Sequence, residues 1–205
     1  MPKRRESTPL GSAVMKAQVR ERIESAATEV FAEQEFHRVN LSDIAAHANA
    51  SLQTIYRYYG SKEALLNACL LTGLGQLAER MLDHLHGIET YKDRLRKVFW
   101  VVLHFFENEP LIARMLLNSV YPGSWDSDVT NSQKQLTETF MQVLCEGREQ
   151  GILVDDVSEK ILLDYFYGVL FRLCQMRVVR GESQSLAEQT PVLFEMLWRA
   201  IAKNP

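Results

Sequence analysis

A dense group of hydrogen-bonding side chains lies in the segment from residue 51 to residue 62. The hydroxyl, amide and ammonium groups of this segment belong to Ser51, Gln53, Thr54, Tyr56, Tyr58 and Lys62. Glutamine can pair with adenine, threonine can contact a thymine methyl or a phosphate, and tyrosine hydroxyls can reach phosphates. A lysine at the start of a helix adds positive charge where backbone N–H groups also favour an anion. This chemistry is typical of a segment that binds double-stranded DNA.

The tyrosines of this segment have an alternative role as ordinary core aromatics at a helix end. Tyr56, Tyr58 and Tyr59 occupy three of four consecutive positions, and a short helix cannot turn all three side chains inward. We therefore assign Tyr59 to the core and leave the other two at the surface. Ile55 should face the same small core, which it would share with Phe31, Ile44 and Ala45.

Two helices are predicted immediately before this segment. Apolar residues at spacings of three and four predict an amphipathic helix over residues 18–35. Asn40 is a good N-cap, and Asp43 stands at its N3 position in the manner of a capping box. These two residues predict a second, short helix over residues 41–48.

A tight turn then leads into the segment itself. Asn49 tolerates the left-handed backbone conformation that such a turn needs, and Ser51 follows as the N-cap of a third helix over residues 52–59. Gly60 ends this helix. Two short helices joined by a turn of about three residues form the outline of a helix-turn-helix, whose second helix enters the major groove of DNA.

The stretch from Ile44 to Leu66 resembles the DNA-binding segment of the tetracycline-repressor (TetR) family. Its most distinctive part is Thr54-Ile-Tyr-Arg-Tyr-Tyr-Gly-Ser-Lys62 followed by Glu-Ala-Leu-Leu, and residues 23–32 resemble the first helix of the family. The resemblance implies an all-α homodimer, with an N-terminal three-helix helix-turn-helix domain followed by a helical ligand-binding and dimerisation domain. Taken position by position, it implies DNA contacts by Ser42, Ser51, Gln53, Thr54, Tyr56, Tyr58 and Lys62.

The chain departs from the family pattern at three positions near the turn. Glu35 and Asn49 stand where the family usually has glycine, and Ala50 is smaller than the usual valine. Asparagine can adopt the same backbone shape as glycine, so the change at Asn49 is mild. Glu35 needs either a different local turn or some backbone strain.

The remainder of the chain is also predicted to be helical, and we find no strand pattern. Asp155 and Asp156 offer N-caps for the second-last helix. The last helix begins either at a capping box formed by Ser185 and Glu188 or at Thr190 before a proline, and both starts stay open. The predicted helices cover about residues 62–86, 91–107, 110–120, 129–150, 157–179 and a last segment after residue 181.

These signals divide the chain into a flexible basic tail (1–15), a helix-turn-helix domain (16–62) and a helical effector-binding and dimerisation domain (63–205). The net charge is −3, and residues 1–65 carry nine Lys and Arg against eight Asp and Glu. Local positive charge from Arg57 and Lys62 can nevertheless bind phosphates. The tail residues Lys3, Arg4 and Arg5 are either a minor-groove arm or a disordered solubilising tail.

The predicted function is sequence-specific transcriptional regulation, in which a repressor leaves its palindromic operator when it binds a small apolar or aromatic molecule. A single helix-turn-helix contacts few bases, so we expect a symmetric homodimer. The candidate dimer residues, whose alternative role is an ordinary monomer core, are Leu162, Tyr165, Val169, Leu193, Leu197 and Ile201. The candidate effector-pocket residues, whose alternative role is also core packing, are Phe99, Phe106, Met115, Phe140, Tyr165 and Phe166.

Enzymes are not favoured, because the chain has no G-x-S-x-G, no H-E-x-x-H and no glycine-rich phosphate loop. We expect no cofactor and no metal.

Cys69, Cys145 and Cys174 lack C-x-x-C spacing, which favours a reducing cytoplasm. No apolar run approaches the roughly eighteen residues of a membrane span, so no membrane partner is expected. The alternatives are a helical redox sensor that uses these cysteines and a protein-interaction module with the same fold.

Overall fold

A computed structural model describes residues 9–86, 90–119 and 131–204, and it describes side chains within residues 17–86, 90–115 and 136–204. Lys3, Arg4 and Arg5 lie outside the described residues. Within the described ranges the chain is all-α, and its β-type pairing is confined to one isolated bridge between Leu153 and Ala202. The predicted fold class is therefore confirmed.

The described helices follow one another in chain order. They are α1 (Pro9–Glu33), α2 (Leu41–His47), α3 (Leu52–Tyr59), α4 (Lys62–Leu85), α5 (Tyr91–Asn108), α6 (Pro110–Ser119), α7 (Asn131–Glu149), α8 (Glu159–Arg180) and α9 (Thr190–Ile201), and a single 3-10 turn (Phe36–Arg38) lies between α1 and α2. None of the described helices is both long and apolar enough to cross a membrane.

The helix starts follow the capping residues closely. Ser51 and Ser61 each accept a hydrogen bond from the backbone N–H three residues later, at 3.1 Å in both cases. Asn40 precedes α2 as predicted, but its side chain makes no capping bond. Its amide instead lies 3.5 Å from the Asp43 carboxylate, so the predicted capping box is not formed there.

The start of α8 differs from the prediction. Ser158, and not Asp155 or Asp156, accepts the capping hydrogen bond, which comes from the N–H of Ile161. The Asp155 carboxylate instead accepts a 2.7 Å hydrogen bond from Lys203, and this contact lowers the pKa of Asp155. Asp155 therefore ties the α7–α8 connection to the C-terminal end of the fold.

Both signals proposed for the last helix are used. The α-helix itself begins at Thr190, with Pro191 in its first turn. Ser185 caps a separate turn just before it, since its hydroxyl accepts a 3.1 Å hydrogen bond from the N–H of Glu188. The carboxylate of Glu107 on α5 holds this turn in place by accepting a 2.9 Å hydrogen bond from the Ser185 hydroxyl.

The buried side chains form two hydrophobic clusters. The small cluster gathers α1, α2, α3 and the first half of α4 around Ile23, Phe31, Ile44 and Ile55, and Met115 of α6 belongs to it. The large cluster is built from the second half of α4 and from α5, α7, α8 and α9. Helix α4 is therefore shared, because its first half packs in one cluster and its second half in the other.

A close approach between α7 and α5 positions the large cluster. The Tyr91 hydroxyl is buried and donates a 2.9 Å hydrogen bond to the carbonyl of Val143. Gly147 lies one turn further along α7. A Cβ atom there would overlap the Tyr91 ring and hydroxyl, and it would come within 2.9 Å of the Leu153 side chain. Gly147 thus makes room for a rigid, hydrogen-bonded tyrosine.

Replacing Gly147 by alanine should destabilise the fold. Because the Tyr91 ring cannot turn aside without losing its hydrogen bond, we expect Gly147→Ala to lower the free energy of unfolding by about 1–3 kcal/mol. Gly75 on α4 is the matched control, since a Cβ atom there meets nothing within 4 Å. Gly75→Ala should be neutral or stabilising by up to about 1 kcal/mol. Urea unfolding of both variants checks the pair, and equal stabilities would contradict the packing argument.

Candidate nucleic-acid interface

The turn before α3 has the geometry that its sequence predicts. Asn49 adopts a left-handed backbone with φ of 47°, and among the described residues it is the non-glycine residue with positive φ. Gly60 ends α3 with φ of 79°.

Glu35 has an extended backbone with φ of −62° and ψ of 137°. The glutamate is therefore accommodated by a different local turn, without left-handed strain.

Helix α3 packs on the small cluster through one buried residue. Ile55 is 0% exposed and shares this cluster with Phe31, Ile44 and Ala45, which confirms the predicted core residues. Because side chains three and four apart share a helix face, the burial of Ile55 turns the opposite face outward. Gln53, Tyr56 and Arg57 lie there and are exposed.

The hydroxyls at the start of α3 are partly committed to the fold. The Ser51 hydroxyl accepts the hydrogen bond from the N–H of Thr54, and its oxygen lies 2.8 Å from the Thr54 hydroxyl oxygen. Ser51 is nevertheless exposed and Thr54 half-buried. Ser42 is exposed on α2. The Ser51 and Thr54 hydroxyls stand at the N-terminal end of α3, and that of Ser42 stands in the first turn of α2.

Tyr56 and Tyr59 differ as the sequence predicts, whereas Tyr58 is less exposed than predicted. Tyr56 is 51% exposed. The Tyr59 hydroxyl donates a 3.0 Å hydrogen bond to the Glu24 carboxylate on α1, and burial, together with that carboxylate, raises the pKa of Tyr59. Tyr58 is half-buried against the small cluster, as Tyr59 is, and the Arg57 guanidinium lies 5.2 Å from the Tyr58 ring centre. Tyr59 is thus an anchor between α3 and α1.

Lys62 makes structural hydrogen bonds that its position in the sequence does not predict. Its ammonium donates hydrogen bonds to the carbonyls of Phe36 (2.8 Å) and Val39 (3.0 Å). The same ammonium lies 4.4 Å from the centre of the Phe36 ring. Lys62 therefore holds the chain between α1 and α2 against the start of α4. An ammonium has three N–H donors, so one remains for a phosphate.

Arg57 is the residue at this surface that motif comparison alone does not mark as a DNA contact. It stands one helical turn after Gln53 on the outward face of α3, and it is exposed. An arginine in that position can bind a phosphate or a guanine. Its positive charge already indicates a phosphate contact from the sequence, and the burial of Ile55 adds the direction of the outward face.

The predicted effector-pocket residues do not all meet. Phe99, Phe140 and Phe166 are each 0% exposed in the large cluster. The Phe166 ring meets Phe99 edge-on with ring centres 6.0 Å apart, and it packs at a tilt against Phe140 with ring centres 5.0 Å apart. Phe106 packs against the same cluster. Two other candidates lie elsewhere: Met115 is buried in the small cluster, and Tyr165 is 46% exposed.

The predicted dimer residues divide in the same way. Leu162, Leu197 and Ile201 are 2–3% exposed in the large cluster, so within one chain they offer little surface to a partner. Tyr165 is exposed, and Val169 and Leu193 are half-buried. The outward face of α8 and α9 therefore presents other residues than most of the predicted dimer residues. Its exposed apolar residues are Ile161, Tyr165, Val192 and Met196.

The cysteines and possible metal ligands show little chemistry. Cys69 and Cys174 are buried, and burial raises the pKa of each thiol to about 12. A thiol with so high a pKa is a poor nucleophile at neutral pH. In the part of the chain that the structure describes, no three His, Cys, Asp or Glu side chains form a group that could hold a metal ion.

Comparison with known proteins agrees with this geometry. The family described as "Bacterial regulatory proteins, tetR family" matches residues 23–69, from α1 through the first part of α4. A fatty acid metabolism regulator protein of Bacillus subtilis is 36% identical over 183 residues, which cover 84% of this chain and 90% of that protein. The match therefore extends well beyond the helix-turn-helix.

Solved structures have the same fold over nearly the whole chain. A TetR family transcription regulator from Marinobacter aquaeolei VT8 has a TM-score of 0.74 and 21% identity, and the match covers 93% of this chain and 98% of that one. The transcriptional regulator FadR from Bacillus subtilis, in complex with stearoyl-CoA, has a TM-score of 0.69 and 21% identity, with coverage of 86% and 96%.

Replacing Lys62 by methionine should affect both stability and DNA binding. Loss of the two hydrogen bonds to carbonyls should lower the free energy of unfolding by roughly 1.5–3 kcal/mol. Loss of one phosphate contact in each half-site should also lower the slope of log affinity against log salt by about 0.9 per half-site, or about 1.8 for the dimer. Lys160→Met, at an exposed position of α8, removes the same charge and should change neither quantity. An unchanged salt slope for Lys62→Met would leave this lysine with a structural role only.

Proposed function

Because the chain belongs to the tetR family of bacterial regulatory proteins, we propose that it is a repressor that binds a palindromic operator as a homodimer and leaves it when a small apolar or aromatic molecule binds. The observation that carries this proposal is the outward face of α3. There Gln53, Tyr56 and Arg57 are exposed on a helix whose opposite face is buried through Ile55. Such a helix can enter a major groove while its buried face stays packed on the small cluster.

The contacts on this face fall into two kinds. Gln53 and Arg57 have planar groups that can bind a base edge in two places, so they are the proposed readers of sequence. Ser42, Ser51, Thr54, Tyr56, Tyr58 and Lys62 carry hydroxyl or ammonium groups that suit phosphates, so they are the proposed positioning contacts.

The proposed homodimer uses the outward face of α8 and α9. Ile161 is 54% exposed, and Val192 and Met196 are each 66% exposed. Tyr165 and Val169 follow Ile161 along α8, at a shallow depression of about 500 Å³ that also includes Gly168. Exposed apolar side chains grouped on adjacent helices favour association with another protein surface. A symmetric pair would place two copies of α3 toward one DNA molecule.

The proposed effector binds in the large cluster, where apolar and aromatic side chains dominate. The Bacillus subtilis relative named as a fatty acid metabolism regulator and the FadR complex with stearoyl-CoA support a long apolar ligand, such as an acyl chain. Phe166 packs directly against both Phe99 and Phe140. A ligand among them must therefore displace these rings, which gives it the means to move the helices that carry them.

Helices α4 and α6 are the proposed route from ligand to DNA. Met115 of α6 is 0% exposed in the small cluster that supports α3. Gly73 of α4 lies so close to Ile112 of α6 that a Cβ atom would come within 2.5 Å of its side chain. A shift of α6 would therefore be felt by both α4 and the small cluster. A ligand that binds one arrangement of these helices more tightly than another shifts the chain toward that arrangement. Operator affinity then changes by at most the ratio of the two ligand affinities.

Selection of bound sequences from random DNA tests the proposed function. The intact chain should enrich one palindromic sequence, and Gln53→Ala should lose about 1–3 kcal/mol of affinity per half-site and tolerate more bases at one position. Gln142→Ala, at an exposed position of α7, is the control and should bind like the unaltered chain. Palmitoyl-CoA, or an aromatic compound that raises the melting temperature, should release the selected DNA. Enrichment of no sequence, or of a sequence without two-fold symmetry, would contradict the proposal.

Charge placed on the outward face of α8 and α9 should separate the dimer. We expect Met196→Glu to weaken dimerisation by about 30-fold or more, because the substitution occurs twice in a symmetric interface and an apolar contact residue contributes about 1 kcal/mol. Leu111→Glu on α6, which also replaces an exposed apolar residue (39%), should leave the dimer intact. Light scattering over a concentration series measures both variants. An unaltered chain that is monomeric at micromolar concentration would refute the proposed interface.

A further inference from the structure

Helix α3 begins with an exposed apolar residue that the proposed DNA contacts do not use. Leu52 is 40% exposed, whereas Leu41 of α2 (8%) and Leu65 of α4 (0%) are buried in the small cluster. Among the side chains that the structure describes before α5, the exposed large apolar and aromatic ones are those of Leu52 and Tyr56. These two residues lie one helical turn apart on α3. The exposed apolar surface in this half of the chain is therefore concentrated on the proposed DNA-reading helix.

The position of Leu52 places its side chain where α3 would meet the bases. In a helix-turn-helix, the N-terminal residues of the second helix contact base edges in the major groove. Ser51 precedes the helix, and its hydroxyl accepts the capping hydrogen bond from the N–H of Thr54. Leu52 and Gln53 are the first two residues of the helix itself, and both are exposed. Leu52 therefore stands beside the residue that we propose to read a base.

A leucine side chain can recognise one feature of the major groove. It has no hydrogen-bond donor or acceptor, so it cannot pair with the polar groups that the base edges present. Thymine differs from the other three bases because its C5-methyl group also points into this groove. Contact between Leu52 and a thymine methyl removes apolar surface of both groups from water, which is favourable. Contact with a polar edge would instead cover a donor or acceptor without replacing its hydrogen bond to water.

We propose that Leu52 selects a thymine in each half-site of the operator by packing against its C5-methyl group. This role rests on the proposed function, operator binding, and adds a specificity-determining residue to it. Gln53 is the next residue in the chain. Adjacent Cα atoms lie about 3.8 Å apart, close to the rise of about 3.4 Å between successive base pairs. The selected thymine should therefore lie within about two base pairs of the base that Gln53 contacts.

Deoxyuridine in place of single thymines tests this contact, because it removes the methyl group and leaves every hydrogen-bonding group of the base pair unchanged. The DNA is the palindromic sequence that the intact chain enriches from random DNA. Substitution of the selected thymine should weaken binding about fourfold per half-site, and about fifteenfold when both half-sites are changed. Deoxyuridine at thymines outside the half-sites is the control and should leave the affinity unchanged. Fluorescence anisotropy at constant salt concentration measures each affinity.

Replacing Leu52 by alanine should remove this sensitivity to the methyl group. Leu52→Ala should bind the thymine and deoxyuridine operators with nearly equal affinity, because the shorter side chain does not reach the methyl group. Leu111→Ala removes a leucine of similar exposure (39%) from α6 and should keep the fifteenfold ratio between the two operators. Any change in the stability of Leu52→Ala affects both affinities alike, so it cancels from the ratio.

The outcomes separate the role of Leu52 from the proposed function. Operator binding that is the same with deoxyuridine at every thymine of the half-sites would overturn the role of Leu52 and leave the proposed function in place. A Leu52→Ala protein that keeps the fifteenfold ratio would do the same. Enrichment of no sequence from random DNA would remove the proposed function, and the role of Leu52 with it.

Discussion

The small cluster under α3 is not closed by the first three helices alone. Leu65, Leu66 and Cys69 of α4 and Met115 of α6 are buried in it. A cluster of this size buries too little surface to be stable without helices from outside. The orientation of α3, and with it the proposed DNA-reading face, therefore depends on two helices that also belong to, or directly adjoin, the large cluster. This shared packing is the physical basis of the proposed communication between ligand and DNA.

Polar contacts at both ends of α3 leave its outward face free. Ser51 caps the start of α3, Tyr59 binds Glu24 at its end, and Lys62 binds two carbonyls just beyond it. Because these groups hold the helix at its two ends, Gln53 is not needed to support it. A side chain that does not support the fold can be replaced without loss of stability, so its identity can match the proposed DNA sequence.

Local signals in the sequence predicted the elements well because their causes are local. A serine cap bonds an N–H three residues away, and Gly60 takes a backbone shape that other residues avoid, so both can be recognised without the fold. The predictions failed where distant groups compete for the same side chain. Asp155 is adjacent to α8, yet Lys203 binds it and Ser158 makes the cap instead. No pattern near Asp155 contains that information.

The sequence by itself determined the all-α fold, the boundaries of α3, the left-handed turn at Asn49 and the separation of Tyr56 from Tyr59. Each of these follows from residue type and helical spacing. Only the tertiary structure decided which apolar positions are inside: Leu162, Leu197 and Ile201 are core, Met115 supports the small cluster, and the outward stripe of α8 and α9 is shifted to other residues. Helix α8 is apolar around much of its circumference, so periodicity cannot choose its buried face. That choice is made by the helices that pack against it.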